Sequence, residues 1–587
     1  LIMADWIASN DILFPYDAFE DNGDSIDWDS RKEEGIKRLA LLKGWKPSDD
    51  WRKEGFFSRR FGPEGRPYQA NTIQRASIEM GKKIERPGIM IIESAMGSGK
   101  TEAALSVAEI FSAKSGRNGL FFALPTQATS NSMFTRLLKW MERIDGAEHT
   151  VRLAHGKAQF NKEIEKLKII SDAKHINEDD AHASRTGVIH EWFSGSKKSM
   201  LADFVVGTID QLLFAGLKQK HVMLRHLGIS GKTIIIDEAH GFDAYMNVFL
   251  EKVLQWLGAY RVPVIVLSAT LPGEARYRLI TAYLNPSRQL RFGRLTYEEL
   301  PNWARSEAYP LITVTDDMEV LQEIIPVNEV EKRIKIKYLS DEEFFESPES
   351  FIEKEGCTGI ILNTVKRTQT FYMKLREIYG EQAVTLLHSR FLAEDRILKE
   401  EVLVKELGNP ERGNHRPDFR IVIGSQVLEQ SLDLDFDRLI TDLSPMDLLL
   451  QRMGRMYRHD RERPAVYDGP ICIVLTPEDG SFESGSAAIY SDYLLYKTKQ
   501  SLNEEIRIPG DISPLVQKVY MHDMAELPTD GDFQSMKASF DRMIKSKRDR
   551  AKIYALPHLS NDSEKNLLGF LDNSVSGSGL SDEKLGE

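Results

Sequence analysis

The chain has 587 residues, 41% of them hydrophobic, which is too long for one core and suits roughly three or four domains. Its net charge of −12 argues against nucleic-acid binding by bulk charge, though a local basic groove would suffice. Two cysteines, Cys357 and Cys472, give neither a disulfide framework nor a zinc spacing, and no apolar run nears the ~18 residues of a membrane span, which fits a reducing cytoplasm.

The opening Leu1–Ser9 reads as an apolar helix, expected to be the tail of a longer upstream domain; Asp5, Asn10 and Asp11 do not suit a signal peptide. Residues 16–60 are charged and mixed, with an amphipathic helix expected over Arg31–Lys43 and a break at Lys46-Pro47-Ser48. From 61 to 285, short apolar strands alternate with helical stretches, at 88–93, Leu120–Leu124, Phe204–Gly207, Thr233–Asp237 and Pro263–Ser268. Runs apolar throughout, such as Ile234-Ile235-Ile236, suit parallel strands buried on both faces, hence a doubly wound α/β domain.

A second alternating block occupies 286–480, with strands at Gly359–Asn363, Val384–His388, Phe419–Gly424, Arg438–Asp442 and Pro470–Leu475. Arg333–Tyr338 alternates charged and apolar residues and is expected to be an edge or half-exposed strand. The tail, 481–587, reads as a helical linker leading to a missing C-terminal domain, and Asn573–Gly579 has a flexible composition.

The stretch Ser94-Ala95-Met96-Gly97-Ser98-Gly99-Lys100-Thr101 lies between an apolar strand and a good helix former. Such a loop turns backbone N–H groups toward a helix N-terminus and cradles phosphates. Lys100 would reach the β/γ-phosphates and the Thr101 hydroxyl would hold Mg²⁺; Ser94 stands where the pattern has its first glycine. The chain therefore reads as a nucleoside triphosphatase.

At the end of strand 233–237 comes Asp237-Glu238-Ala239-His240, where an open α/β sheet places its site. Asp237 would bind Mg²⁺, Glu238 would polarise the attacking water and His240 would couple to the neighbouring domain. The competing reading is a set of acidic residues favouring a helix dipole. One strand later, Ser268-Ala269-Thr270 offers hydroxyls to relay the nucleotide state.

In the second block, Gln451-Arg452-Met453-Gly454-Arg455-Met456-Tyr457-Arg458 places Arg455 and Arg458 on one helical face, able to reach across a cleft to a γ-phosphate. Gln451 joins them in the catalytic set; the competing reading is a solvated basic face. Asp433, closing the loop from Gly424, would bind ribose or the arginines.

Together, Gly97–Thr101, Asp237–His240, Ser268–Thr270, the 424–433 loop and Gln451–Arg458 resemble, in this order, superfamily 2 helicases of the DEAH type. Within that group, Leu153-Ala154-His155-Gly156, Val206–Gln211, Phe242–Met246 and Val427–Asp437 resemble the CRISPR-associated type I effector helicase–nuclease, the Cas-three family. The resemblance implies two tandem RecA-like domains, ATP and Mg²⁺. It also implies single-stranded DNA grips at Pro125, Thr126, Gln127, Gly207 and Thr208 in the first domain. In the second they fall at Asn363, Thr364, Lys366, Ser389 and Arg390, with Ser425 where the family usually has Thr. Gln74 would read adenine, with Gln69 as its rival.

The opening segment resembles the last helix of the family's HD nuclease domain, and Asp5 falls on its final metal ligand. Divalent transition metals would serve that nuclease only; the first histidine here is His149, so its metal site cannot be assembled from this chain. His459-Asp460 and His522-Asp523 read as bland surface pairs, and the basic cluster from Lys218 to His226 as either a solvated face or a strand separator.

The implied function is an ATP-dependent single-stranded DNA translocase and helicase, moving 3′ to 5′. It would be recruited by an RNA-guided CRISPR surveillance complex and act as a monomer in a prokaryotic cytoplasm. The alternatives are an RNA or general DNA-repair helicase, and a nucleotide-controlled DNA clamp without translocation.

Overall fold

The computed structural model describes residues 2–10, 13–14, 28–39, 44–63, 68–144, 149–154, 167–170, 184–190, 198–287, 295–326, 331–410, 416–429, 432–478, 481–521, 531–557 and 559. They form two α/β lobes, each built on one sheet.

The first sheet comprises β1 (Pro87–Glu93), β2 (Leu120–Leu124), β3 (His149–Ala154), β4 (Leu167–Ile170), β5 (Ser184–His190), β6 (Phe204–Thr208), β7 (Thr233–Ile236), β8 (Val264–Ser268), β9 (Leu311–Asp316) and β10 (Glu319–Ile324). Their spatial order is β10-β9-β1-β8-β7-β2-β6-β3-β5-β4. Strands β1 to β8 pair in parallel, while β9 and β10 add an antiparallel hairpin beside β1. The first lobe therefore takes in residues 311–324, beyond the boundary expected at 285. A two-strand hairpin after a helical region carries no βαβ rhythm, so it does not declare which sheet it will join.

Uniformly apolar strands work here because both faces are covered. In β1, Ile89 and Ile91 enter one core cluster while Met90 and Ile92 enter the other. Helix Lys100–Ser115 follows β1 and is buried along most of its length, capped by left-handed glycines at both ends, Gly99 and Gly116.

The second sheet comprises β11 (Lys332–Leu339), β12 (Gly356–Ile361), β13 (Val384–Leu387), β14 (Phe419–Gly424), β15 (Arg438–Asp442), β16 (Ile471–Leu475) and β17 (Glu505–Ile508), in the order β13-β14-β12-β15-β16-β11-β17. Strand β11 is half-exposed as its alternation requires, but it is not an edge: β17 pairs with it antiparallel on the outer side. The tail supplies that covering strand, so local patterning in β11 could not reveal it.

Helix Ile2–Ala8 rests on the first lobe through Met3 and Ile7. The expected helix at 31–43 spans Trp28–Leu39, and 40–43 lie outside the described residues. His155-Gly156 and the 573–579 stretch also lie outside them. Helix Gly531–Tyr554 straps both lobes: Phe533 and Phe540 pack in the second core, and Ala551, with Ala555 just past the helix end, in the first. Among the described residues no helix is long and apolar enough to cross a membrane.

Candidate active site

Parallel strands end on one edge, and three neighbours in the first sheet, β1, β8 and β7, deliver the phosphate-type loop, Ser268–Thr270 and Asp237 side by side. Gly97 and Gly99 adopt φ of 83° and 81°, a region costly for other residues. A Cβ on Gly99 would stand 2.3 Å from Gln74 Nε2. Lys100 is buried, and its Nζ donates to the carbonyls of Ser94 at 2.6 Å and Ala95 at 3.0 Å. Burial lowers its pKa; Glu238 and Asp237 oppose that shift, and Arg458 adds to it.

Gln74 backs the loop rather than projecting from it. Its Oε1 accepts from Asn71 N–H at 2.9 Å, completing a capping box, and its Nε2 donates to Gly99 O at 3.2 Å. Gln69 is exposed. Thr101 Oγ1 lies 3.4 Å from Arg136 Nη1, and Arg136 also pairs with Glu102. Arg136, from helix Gln127–Met141, carries no motif signal and was not legible in the sequence.

Burial pushes the Asp237 carboxyl up to about 7, with the neighbouring Glu238 charge adding and Lys100 opposing. Glu238 sits at φ 52°, unusual for a non-glycine residue and typical of strain held at a site. Its Oε2 is 3.1 Å from His240 Nε2, though not aligned as a hydrogen bond. On its other side, His240 Nδ1 is 2.9 Å from Ser268 Oγ, which donates to Thr270 O at 2.6 Å. His240 thus ties the acidic pair to the loop after β8.

The second lobe closes over this edge. Ala95 and Tyr309 pack against its core, and Tyr309 Oη donates to Ala269 O at 2.7 Å. Arg458 faces the phosphate-type loop across the cleft. Its Nε is also 2.8 Å from Asp433 Oδ1, and His459 Nε2 is 3.0 Å from the same oxygen. Asp433 is therefore committed to Arg458 and His459 rather than open to a ribose. His459, expected to be a bland surface residue, is half-buried at this junction, because the turn after Arg455 folds back toward Asp433. His522-Asp523 lies outside the described residues.

Arg455 is fully buried, with its guanidinium on the carbonyls of Leu432 and Glu429. Burial pushes its pKa down to about 9; Arg458 adds to this, and Glu238 of the other lobe opposes it. Gln451 is buried with no partner for either side-chain atom among the described residues. An unpartnered buried amide is costly unless a ligand completes it. Arg452, silent in the sequence, is the structural hub: it donates to Glu429 Oε2 at 2.7 Å, Thr441 Oγ1 at 2.8 Å and Asn363 Oδ1 at 2.8 Å.

The remaining sequence-selected residues divide by exposure. Pro125–Gln127 and Gly207–Thr208 lie at the adjacent ends of β2 and β6. Thr126 is an N-cap, accepting from Thr129 N–H at 3.2 Å, and Thr208 is buried. In the second lobe, Lys366, Ser389 and Arg390 are exposed at the ends of β12 and β13, Thr364 is an N-cap and Ser425 is buried.

Asn363 is taken out of any surface role. It is 1% exposed, and besides Arg452 its side chain donates to Leu443 O at 2.8 Å and reaches Ser486 Oγ at 2.7 Å. The basic cluster at 218–226 is not a uniformly solvated face either: Arg225 and His226 are buried. Asp5 is exposed, and among the described residues no cluster of His, Cys, Asp or Glu could hold a metal ion.

The sequence reading also missed an acidic pair clasped by arginines. Buried Asp435 and Asp437 are bridged by Arg463, with Arg416 on Asp437 at 2.5 Å and Arg461 on Asp435 at 2.8 Å. The alternating Asp435-Phe436-Asp437 and Arg461-Glu462-Arg463 hold that signal, legible only once the two segments are known to meet.

Residues 354–461 match the family of the C-terminal part of the CRISPR-associated nuclease/helicase Cas3, and residues 66–279 match the DEAD/DEAH box helicase family. A CRISPR-associated nuclease/helicase Cas3 from Streptococcus thermophilus is 42% identical over 98% of the chain, which spans 61% of that relative's length. Among solved structures, T. fusca Cas3 with ADP superposes with a TM-score of 0.78 at 29% identity, covering 95% of this chain and 63% of that one. A chain of a CRISPR RNA-guided surveillance complex, pre-nicking, superposes at 0.70 with 28% identity, covering 97% of this chain and 62% of the other.

Proposed function

The chain belongs to the family of CRISPR-associated Cas3 nuclease/helicases, and from that premise we propose that it is an ATP-dependent translocase and helicase of single-stranded DNA. The observation that carries this reading is the meeting of Lys100, Asp237, Glu238 and Arg458 over one cleft between two lobes.

In this reading Gly97–Thr101 cradles the triphosphate, and Lys100 leaves the Ser94 and Ala95 carbonyls for the β/γ-phosphates. Asp237, a buried carboxyl whose charge Lys100 favours, and the Thr101 hydroxyl would hold Mg²⁺ through hard oxygens. Bound Mg²⁺ would neutralise charge building on the phosphates. Glu238 accepts the proton of the attacking water, held by its strained backbone and by His240. Arg458 stabilises the charge that develops on the γ-phosphate, Arg455 shapes the loop that positions it, and the unpartnered Gln451 amide is completed by the nucleotide.

DNA would lie across the strand ends of both lobes, gripped through Pro125–Gln127 and Gly207–Thr208 on one side and Thr364, Lys366, Ser389 and Arg390 on the other. Backbone phosphates would supply affinity with little sequence preference. Movement is 3′ to 5′, as the family resemblance implies. One chain carries both lobes of the cleft, so a monomer suffices. The likeness to a chain of a surveillance-complex structure supports recruitment by an RNA-guided complex in CRISPR interference in a prokaryotic cytoplasm.

Side-by-side ATPase assays with single-stranded DNA, duplex DNA and RNA test the reading. Single-stranded DNA should stimulate most. Equal stimulation by RNA would favour an RNA helicase, and turnover without strand separation would favour a clamp.

A further inference from the structure

We propose that helix Ile512–Tyr520 is a pivot coupling the two lobes, with Gln517 and Tyr520 as positioning residues for ATP turnover; this rests on reading the cleft as an ATPase site. The helix belongs to the second lobe by packing, since Ile512, Leu515, Val516 and Val519 enter that lobe's core. Gln517 nevertheless faces the first lobe and is 3% exposed. Its Oε1 accepts from Gly273 N–H at 2.9 Å and its Nε2 donates to Leu271 O at 3.0 Å. Those backbone groups flank Pro272, which has no N–H to offer, in the loop leaving β8. One side chain thus satisfies both sides of the turn that follows Ser268-Ala269-Thr270.

Three residues on, Tyr520 Oη donates to Asp447 Oδ1 at 2.7 Å. Asp447 lies in the first turn of helix Met446–Met453, which carries Gln451 and Arg452 and leads into Arg455 and Arg458. Met521 returns to the first lobe, where its sulfur accepts from Glu274 N–H at 3.2 Å beside Leu300 and Ala304. A single helical turn therefore holds the loop after β8 on one side and the start of the arginine helix on the other.

The loop is in turn bonded to the acidic pair. Ser268 joins Thr270 O to His240, and His240 contacts Glu238. A contiguous set of contacts runs from Glu238 through His240 and Ser268 to the turn that Gln517 holds, and from there to helix Met446–Met453, whose end leads into Arg455 and Arg458. A change in the occupancy of the acidic pair is thereby transmitted to the arginines through a helix outside both sets of helicase-like motifs.

The test uses the full chain with Gln517→Leu, Tyr520→Phe and the double variant. The readouts are steady-state ATPase with single-stranded DNA, strands separated per ATP, and DNA affinity with and without a non-hydrolysable ATP analogue. Gln517→Leu should lower kcat roughly tenfold while KM for ATP stays within about threefold, and should abolish the nucleotide dependence of DNA affinity. Tyr520→Phe should shift the same quantities in the same direction by less, and the double variant should be no worse than Gln517→Leu alone, as expected for groups in one coupled unit.

If Gln517→Leu fails to fold, Tyr520→Phe, which removes a single oxygen, decides the matter. Unchanged kcat and unchanged nucleotide dependence in the folded variants overturn the pivot. Lys100→Ala separates the two levels: normal turnover in that variant sinks the ATPase reading itself. Lost turnover there, beside wild-type behaviour at Gln517 and Tyr520, sinks only the pivot.

Discussion

Arg458 Nη2 lies 3.9 Å from where a Cβ on Gly97 would sit, so the second lobe's guanidinium stands directly over the first lobe's phosphate-type loop. Arg455, three residues earlier, is spent on the carbonyls of Leu432 and Glu429. The two arginines thus have different tasks. Arg458→Ala should lower DNA-stimulated ATP turnover by roughly 10³-fold, the range of a lost arginine finger. Arg458→Lys should not restore it, because a point charge cannot reproduce the planar fork. Turnover within tenfold of wild type in Arg458→Ala would assign the finger elsewhere.

Lys100 and Glu238 carry the second prediction. Two loop carbonyls hold the Lys100 ammonium in place, and the Glu238 and Asp237 carboxylates oppose the lowering of its pKa that burial causes. Lys100→Ala and Glu238→Gln should each abolish ATP turnover with the thermal unfolding midpoint little changed. Glu238→Gln keeps size and shape at a strained backbone position, so its effect isolates the carboxylate. Steady-state ATPase beside a thermal melt checks both; normal rates in either variant would refute the assignment.

Arg452 should behave in the opposite way from Arg458. It is fully buried and joins Glu429, Thr441 and Asn363, so removing it leaves the buried Glu429 carboxylate without its cation and takes a donor from Thr441 Oγ1 and Asn363 Oδ1. Breaking a buried pair of this type costs about 3–5 kcal/mol. Arg452→Met should lower the free energy of urea unfolding of the second lobe by that amount and move its midpoint to lower concentration, while Arg458→Ala leaves the midpoint in place. Equal midpoints for Arg452→Met and wild type would show that the hub is dispensable.

The contrast among Arg452, Arg455 and Arg458 also marks what the sequence could tell. Spacing puts Arg455 and Arg458 on one helical face, but the helix ends at Met453 and both lie beyond it; the glycine loop, Asp237-Glu238 and Ser268–Thr270 are legible because each follows a strand recognisable by its apolar run. Which arginine faces the cleft depends on partners brought by Glu429, Asp433 and Leu432, and no local pattern encodes that. The family resemblance implies a surface grip at Asn363, yet its neighbours Asp442, Leu443 and Ser486 lie far along the chain and enclose it. The β9–β10 hairpin and β17 were hidden for the same reason: an antiparallel addition at a sheet edge is defined by the partner it meets.

His226 supplies a pH prediction away from the cleft. Its ring is 2% exposed, with Nε2 2.7 Å from Ala215 O and Nδ1 2.8 Å from Tyr260 Oη. The carbonyl can only accept, so Nε2 carries the proton and Tyr260 donates to Nδ1, which fixes a neutral ring. Burial pushes its pKa down to about 4 from an ordinary 6.5. Between those values the unfolded chain takes up a proton that the folded chain refuses, so stability falls as pH drops from 6.5 toward 4. A shift of this size is worth at most about 3 kcal/mol across that window. His226→Gln retains an amide that can meet both partners but does not titrate. It should therefore flatten the slope of first-lobe stability against pH between 6.5 and 4, whatever it does to stability at pH 8. Urea midpoints at half-unit pH steps would read this directly, and parallel slopes in the two proteins would show that the folded chain protonates His226 as readily as the unfolded one.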